Sequence, residues 1–174
     1  AIASGNYSTA YGANARSTGY GMTSIGVAAG YGTTGAFNTS LGIDSGQHTR
    51  GDFNTINGAF AGSYTQGSYN NMIGNFAGRG LVGSENNIMG SDAGKNMLGD
   101  QNVAIGDDAG RDRSGSNNIN LGTGAGAGNT GHNTIAIGGS ASTGSASNAT
   151  ALGAGTSATH AASTAIGTGA ATTQ

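Results

Sequence analysis

Glycine recurs along this chain at nearly regular intervals, and that spacing leaves few folds open. A segment ending in an apolar residue and Gly repeats with spacings of 14 residues, then seven of 16, then 15 and 14. Its glycines are Gly12, Gly26, Gly42, Gly58, Gly74, Gly90, Gly106, Gly122, Gly138, Gly153 and Gly167. Short units repeated at a nearly fixed period are typical of solenoids, in which each unit stacks on the preceding one.

Two further glycines follow the motif glycine in the central units, as Gly94 and Gly99 follow Gly90. These corners leave room for one short strand before the next motif glycine, and the GxxAG segment predicts a second, shorter extended piece. Frequent Gly disfavours helix by about 0.5–1 kcal/mol per residue, and no apolar stripe of helical period is present. The pattern predicts an all-β solenoid, a rod about 50 Å long at about 4.8 Å per unit.

The repeat predicts one domain over residues 1–174, with about eleven rungs and the added GxxAG element in the 16-residue rungs at about 27–138. Gly supplies 36 of 174 residues, the hydrophobic fraction is 35%, and Cys and Pro are absent. A chain with so few apolar residues cannot fill an ordinary enzyme core. The absence of Cys excludes disulfides and thiol catalysis, and the absence of Pro excludes a collagen helix. A net charge of −2 with 8% charged residues argues against highly charged disorder and against nucleic-acid binding.

No catalytic or cofactor-binding pattern stands out. His48, His132 and His160 lie at unrelated positions within the repeat and are predicted to be surface residues. The GxGxxG match at 126–131 has no helix-forming segment after it, and the last four units lack the Asp that GGxGxD calcium binding requires. We therefore expect no enzyme activity, no cofactor and no metal site.

The apolar residues that precede the motif glycines are predicted to form a buried ladder. They are Ile25, Leu41, Ile73, Met89, Ile105, Leu121, Ile137, Leu152 and Ile166, with Asn57 as the exception. A second ladder of small residues follows three positions after the glycine: Ala29, Ser45, Ala61, Ala77, Ala93, Ala109, Ala125 and Ala141. One large and one small inward residue per unit give little burial against the entropy of ordering the unit. The thin core therefore predicts a homo-oligomer.

Polar and aromatic residues also form ladders. Asn38, Asn54, Asn70, Asn86, Asn102 and Asn118 recur in six successive units. We interpret them as a structural corner whose side chains hydrogen-bond along the stack, and the alternative is a row that faces a ligand. Aromatic residues share one position at Phe37, Phe53 and Tyr69 and another at Phe60 and Phe76. These rings are predicted to serve packing rather than to form a platform for sugars.

Charged residues other than Arg16 are confined to the stretch from Asp44 to Arg113. Arg79, Lys95 and Arg111 share one position in three consecutive units, and Asp92 and Asp108 share another three residues earlier. We interpret these rows as a solvated face whose opposite charges pair, with a contribution between zero and about 1 kcal/mol. The alternative is a cationic row that contacts an extended polymer. The candidate ligand-binding residues are Arg79, Lys95, Arg111, Arg113, Asp92 and Asp108.

The segments NVAIG (102–106), TIAIG (134–138), TALG (150–153) and STAIG (163–167) resemble the YadA-like heads of trimeric autotransporter adhesins. The resemblance spans essentially the whole chain and implies a left-handed parallel β-roll that forms a homotrimer through the apolar motif residues. The residues it assigns to the core and trimer interface include Val103, Ile105, Ile135, Ile137, Leu152 and Ile166.

The family implies a non-catalytic role in virulence at the bacterial surface. Such heads project from the outer membrane and bind host extracellular matrix, such as collagen, or host cell receptors. We expect the signal peptide, coiled-coil stalk and membrane anchor of such a protein to lie outside this sequence. The 16-residue spacings exceed the family's usual 14 and imply a protruding corner in the middle rungs. Phage tail-fibre segments carry similar repeats and also form trimers, so a fibre segment that binds surface glycans is the alternative.

Overall fold

A computed structural model describes residues 1–172, which contain thirteen short β-strands and no helix. The strands are β1 (Ile2–Ala3), β2 (Thr9–Tyr11), β3 (Arg16–Ser17), β4 (Thr23–Ile25), β5 (Thr39–Leu41), β6 (Thr55–Asn57), β7 (Asn71–Ile73), β8 (Asn87–Met89), β9 (Val103–Ile105), β10 (Ile119–Leu121), β11 (Ile135–Ile137), β12 (Thr150–Leu152) and β13 (Thr164–Ile166). Each of β4–β13 ends at the residue before a motif glycine.

Eleven of the thirteen strands form one parallel sheet. β2 and β4–β13 pair in sequence order, while β1 and β3 pair separately. Val103 is in register with Ile119, and Ile105 with Leu121, so equivalent residues of neighbouring rungs lie side by side. The chain is therefore an all-β parallel solenoid of about ten turns with repeats of roughly 16 residues, which confirms the predicted fold class.

The second strand of each rung is reduced to a single bridging residue. Parallel bridges join Thr34, Arg50, Gln66, Val82, Leu98 and Ser114 in succession, each immediately before the third glycine of its rung. The prediction that GxxAG is extended is wrong, because residues 91–96 form turns in the rung of Gly90. Asp92 and Gly94 have φ of 51° and 59°, and residues in this left-handed region bend the chain rather than extend it.

The inward residue of each strand is its middle one. These residues are Ser24, Ser40, Ile56, Met72, Ile88, Ala104, Asn120, Ala136, Ala151 and Ala165, all buried. The predicted small-residue ladder, from Ala29 to Ala141, is also fully buried. Large apolar side chains fill the interior where Ile56, Met72 and Ile88 pack with Leu81 and Met97, whereas in the last rungs the buried apolar side chains are all alanines.

The predicted buried ladder lies on the outside of the chain. Ile25, Leu41, Met89, Ile105, Leu152 and Ile166 are 37–67% exposed. Ile73, Val103, Leu121, Ile135 and Ile137 are partly buried. The prediction that they form the core of the single chain is wrong, because side chains alternate along a strand and the middle of three residues faces inward. We call the first and third residues of β4–β13 the strand outer face.

The Asn ladder is a buried corner held by its own hydrogen bonds, as the structural interpretation predicts. The Asn70 Nδ2 donates to Asn54 Oδ1 at 3.1 Å and to the Gly83 carbonyl at 2.9 Å. Its Oδ1 accepts from the backbone N–H and the Nδ2 of Asn86, each at 3.0 Å. The pattern recurs from Asn38 to Asn118, and it satisfies polar groups that burial would otherwise leave without partners.

The motif glycines stack with no room for a side chain. Gly90 has φ 137°, and a Cβ there would collide with the carbonyl group of Gly106 in the next rung. A residue with a Cβ is strained at this φ even without the collision. The stacked backbones therefore require Gly at this corner, which explains the repeat from which the fold was predicted.

Candidate binding surfaces

The charged rows of the middle rungs are paired with each other. Lys95 Nζ lies 2.6 Å from Asp92 Oδ1, and Arg111 Nη1 lies 2.9 Å from Asp108 Oδ1. Arg111 Nε also lies 3.3 Å from Asp112 Oδ2. The two aspartates stand at a turn three residues before their cations, so the pairing predicted from the shared offsets is present.

These pairs reduce the free positive charge of the row. The Asp108 carboxylate, by its hydrogen bond and its charge, raises the pKa of Arg111 above its ordinary value. Both pairs are at least partly accessible to solvent, which weakens their contribution to stability. Arg79 differs, since no acidic side chain of residues 1–172 forms an ion pair with it and its guanidinium lies 5.6 Å from the centre of the Phe76 ring. Of the three cations in this row, only Arg79 therefore lacks an acidic partner among residues 1–172.

Arg113 is not a surface residue, and its prediction as a ligand contact is wrong. Its side chain is fully buried and donates from Nη2 to the Gly131 carbonyl at 2.9 Å and to Thr134 Oγ1 at 2.6 Å. Nη1 lies 3.4 Å from Asn120 Oδ1. Burial lowers the pKa of Arg113 to about 10. The residue occupies the interior position that Met97 fills one rung earlier, so it faces the core.

One aromatic ladder packs ring on ring along an exposed corner. The ring centres of Phe37 and Phe53 are 4.8 Å apart, and those of Phe53 and Tyr69 are 5.1 Å apart, with nearly parallel planes. Tyr20 contacts Phe37 edge to face. Phe53 has φ 57°, and this left-handed corner directs the ring outward. Because neighbouring rings cover one another's faces, mainly ring edges meet the solvent.

The second predicted aromatic pair also stacks, with 5.0 Å between the ring centres of Phe60 and Phe76. Lys95 Nζ lies 5.3 Å from the Phe76 ring centre. This distance is within the range of a cation–π contact. The Phe76 ring therefore contacts the cations of the charged row, and the two rings pack as the structural interpretation predicts.

A third column of stacked side chains was not predicted from the sequence. The Arg16 guanidinium lies 4.6 Å from the Tyr31 ring centre, Tyr31 contacts His48 edge to face at 5.8 Å, and His48 stacks on Tyr64 at 5.3 Å. Successive members are 15, 17 and 16 residues apart, so a fixed offset does not reveal them. The members follow their motif glycines by four, five, six and six residues, so an alignment on those glycines does not place them at one position either.

Two shallow pockets flank this column. One, of about 260 Å³, is lined by His48, Arg50, Tyr64 and Gln66. The other, of about 450 Å³, is lined by Asn14, Arg16, Ala28, Tyr31 and Gln47. The remaining histidines lie elsewhere: His132 accepts a hydrogen bond at Nδ1 from the Ser116 N–H at 3.1 Å, and His160 lies beside Thr172.

Within the described part of the chain, no three His, Cys, Asp or Glu side chains are grouped so that they could hold a metal ion. None of its segments forms a helix that is long and apolar enough to cross a membrane. No protein-family model matches the chain, and no curated protein is similar to it in sequence. The resemblance to YadA-like heads thus rests on the repeat motifs alone.

Proposed function

We propose that this chain is the non-catalytic head of a trimeric adhesin at a bacterial surface, where it projects from the outer membrane and binds host extracellular matrix or a host receptor. The observation that carries the proposal is the strand outer face. In this assembly three solenoids lie side by side, and each turns that face toward the common axis. The left-handed coil of the family belongs to the same proposal.

The apolar residues of the strand outer face support association of chains. Ile105 is 40% exposed and Ile166 is 67% exposed, although both belong to strands whose middle residue already faces a core. Strands that carry apolar residues on both faces are typically covered on both sides. Contiguous exposed apolar patches mark interaction sites in soluble proteins. A second and third copy of the chain would cover this face along its whole length.

Light scattering tests the association. A homotrimer of 16.7 kDa chains has a mass of 3 × 16.7, or about 50 kDa. We expect that mass for the wild type, and we expect dissociation or loss of folding when Ile105 and Leu121 are both changed to Lys. The matched control changes Val82 and Leu98 to Lys, since both are exposed but stand at the bridging positions rather than on the strand outer face. A stable, folded wild-type monomer would contradict the proposal.

Binding to immobilised collagen, fibronectin and laminin tests adhesion. If the cationic row contacts a polymeric ligand, changing Arg79, Lys95 and Arg111 to Ala abolishes binding. Changing Asp92 and Asp108 to Asn removes the partners of Lys95 and Arg111 and should strengthen binding to an acidic ligand. Unchanged binding in the triple Ala variant excludes the row. A trimer that binds none of the three proteins favours the tail-fibre alternative, for which glycans are the ligands to test.

A further inference from the structure

The first rungs carry a binding surface that the proposed adhesion through the cationic row does not use. Its centre is the pocket lined by His48, Arg50, Tyr64 and Gln66, which we call the His48–Tyr64 pocket. The four side chains come from two successive rungs, and each rung contributes one ring and one hydrogen-bonding group. The stack of His48 on Tyr64 holds the two rings in fixed positions.

The pocket lies away from the strand outer face. Thr49 and Thr65, which stand between the lining residues in sequence, point inward: Thr49 Oγ1 donates to the Gly62 carbonyl at 2.7 Å, and Thr65 Oγ1 lies 3.6 Å from Met72 Sδ across the core. Their neighbours on either side therefore point outward, on the side opposite the strand that carries Met72. Chains that associate through the strand outer face would leave this pocket open.

The lining favours an anion attached to a ring. Arg50 is exposed and forms no ion pair with any acidic side chain of residues 1–172. A guanidinium without an acidic partner binds carboxylate or sulfate oxygens through paired charge-assisted hydrogen bonds. The Gln66 amide and the Tyr64 hydroxyl add neutral hydrogen-bonding groups, and the ring edges add apolar contact. A volume of about 260 Å³ is below the usual size of a drug-like site and suits a single ring.

The same set of groups recurs on the other side of the column. The second pocket also combines an arginine, a tyrosine and side-chain amides, with Arg16, Tyr31 and Gln47 in its lining. Gln47 donates to Asp44 Oδ1 at 3.1 Å, so a carboxylate borders this pocket and weakens its attraction for anions. The His48–Tyr64 pocket is therefore the stronger anion site. The pocket beside Arg16 and Tyr31 is placed to hold the next sugar of the same saccharide.

We propose that the His48–Tyr64 pocket binds an acidic sugar, one whose ring carries a carboxylate or a sulfate, within a longer saccharide that lies along the aromatic column. Arg50 holds the acidic group. Gln66 and Tyr64 bond to the ring hydroxyls. The edges of His48 and Tyr64 contact the apolar side of the sugar ring. This assignment does not depend on the trimer or on binding to matrix proteins.

The test is an NMR titration of the isotopically labelled full chain with three matched probes: sialyllactose for the carboxylate, sulfated lactose for the sulfate and lactose as the neutral control. We expect at least one acidic probe to shift the ring signals of His48 and Tyr64, and lactose to bind at least tenfold more weakly. The probe that binds identifies the acidic group. Failure of both acidic probes, or equal affinity for lactose, would overturn the proposal.

Arg50→Gln should weaken binding of the acidic probe at least tenfold, because it keeps a side-chain amide but removes the charge. Asn75→Asp is the matched control, since it lowers the net charge by the same one unit at an exposed residue that lines neither pocket. Thermal unfolding of the two variants checks that the fold is unchanged. Equal effects of the two substitutions would overturn the assignment, since only a general charge effect would remain.

Discussion

Arg113 is a charged residue in the interior of a very narrow solenoid, and replacing it should stabilise the protein. The rung before it offers a template, because Met97 and Ala104 occupy the positions that Arg113 and Asn120 occupy one rung later. Both template residues are fully buried in the apolar cluster. The double variant R113M/N120A copies that arrangement and removes the charge together with one of its hydrogen-bonding partners.

The magnitude follows from the burial of the guanidinium. Burial lowers the pKa of Arg113 from its ordinary value to about 10, with desolvation as the only cause. At about 1.4 kcal/mol per pKa unit, the charge costs the folded state about 3 kcal/mol. The variant also loses the hydrogen bonds to Gly131 and Thr134, and each loss lowers the free energy of unfolding by about 1 kcal/mol. Thr134 keeps its bond to Asn118 Oδ1. We expect a net gain of about 1–2 kcal/mol in the free energy of unfolding.

Urea and thermal unfolding at one fixed protein concentration measure this gain, which corresponds to a Tm increase of about 2–8 °C for a chain of this size. Above about pH 10 the folded state loses the Arg113 proton before the unfolded state does, so wild-type stability recovers there relative to the variant. The full difference is thus present below pH 10. A double variant that is less stable than the wild type by about 1 kcal/mol or more would refute the reasoning and show that the hydrogen bonds outweigh desolvation.

Three further substitutions test the architecture. Asn70→Ala removes four buried hydrogen bonds and should lower the free energy of unfolding by about 3 kcal/mol, whereas the exposed control Asn75→Ala should change it by less than about 0.5 kcal/mol in the same urea titration. Gly90→Ala should prevent stacking on Gly106 and abolish the β-sheet circular dichroism signal or lower the Tm sharply. Asp108→Asn should leave the Tm nearly unchanged, since solvent reaches its partner Arg111 and weakens the pair.

The glycine spacing was sufficient to predict the solenoid because its requirement is local. A corner such as Gly90 must have positive φ and no Cβ, and every rung repeats that need. The Asn corner was predictable for the same reason, since Asn70 bonds only to the rungs next to it. Both features depend on contacts between neighbouring rungs, so the residue that each requires recurs at the same position of every repeat.

Apolar character did not predict which strand residues point into the interior and which point outward. In β9, the small Ala104 is buried while the larger Val103 and Ile105 face outward. An apolar residue is usually taken to mark the interior, but a roll this narrow has no space for a large side chain at every position. Ala104 shares the interior with the fully buried Met97 in one apolar cluster.

The candidate sites show a similar division. The Lys95–Asp92 and Arg111–Asp108 pairs followed from equal offsets, since each pair lies within one turn. Arg113 stands only two residues after Arg111, yet it faces the core, and charge alone gave no sign of this. The contact between Tyr31 and His48 was missed because the two residues stand at different positions in their rungs, five and six residues after the motif glycine.

The thin core and the apolar strand outer face are two results of one constraint. In the last rungs the buried apolar side chains are all alanines, from Ala136 to Ala165, beside buried threonines such as Thr143, while Ile137, Leu152 and Ile166 stand outside. Alanine buries little apolar area, so these rungs gain little from their own interior to offset the entropy of ordering. The larger side chains can contribute only if another surface covers them. The apolar residues that a single roll does not hold inside thus lie on the face where a second copy of the chain could bury them. The proposed trimer therefore accounts for the small apolar core of the single chain.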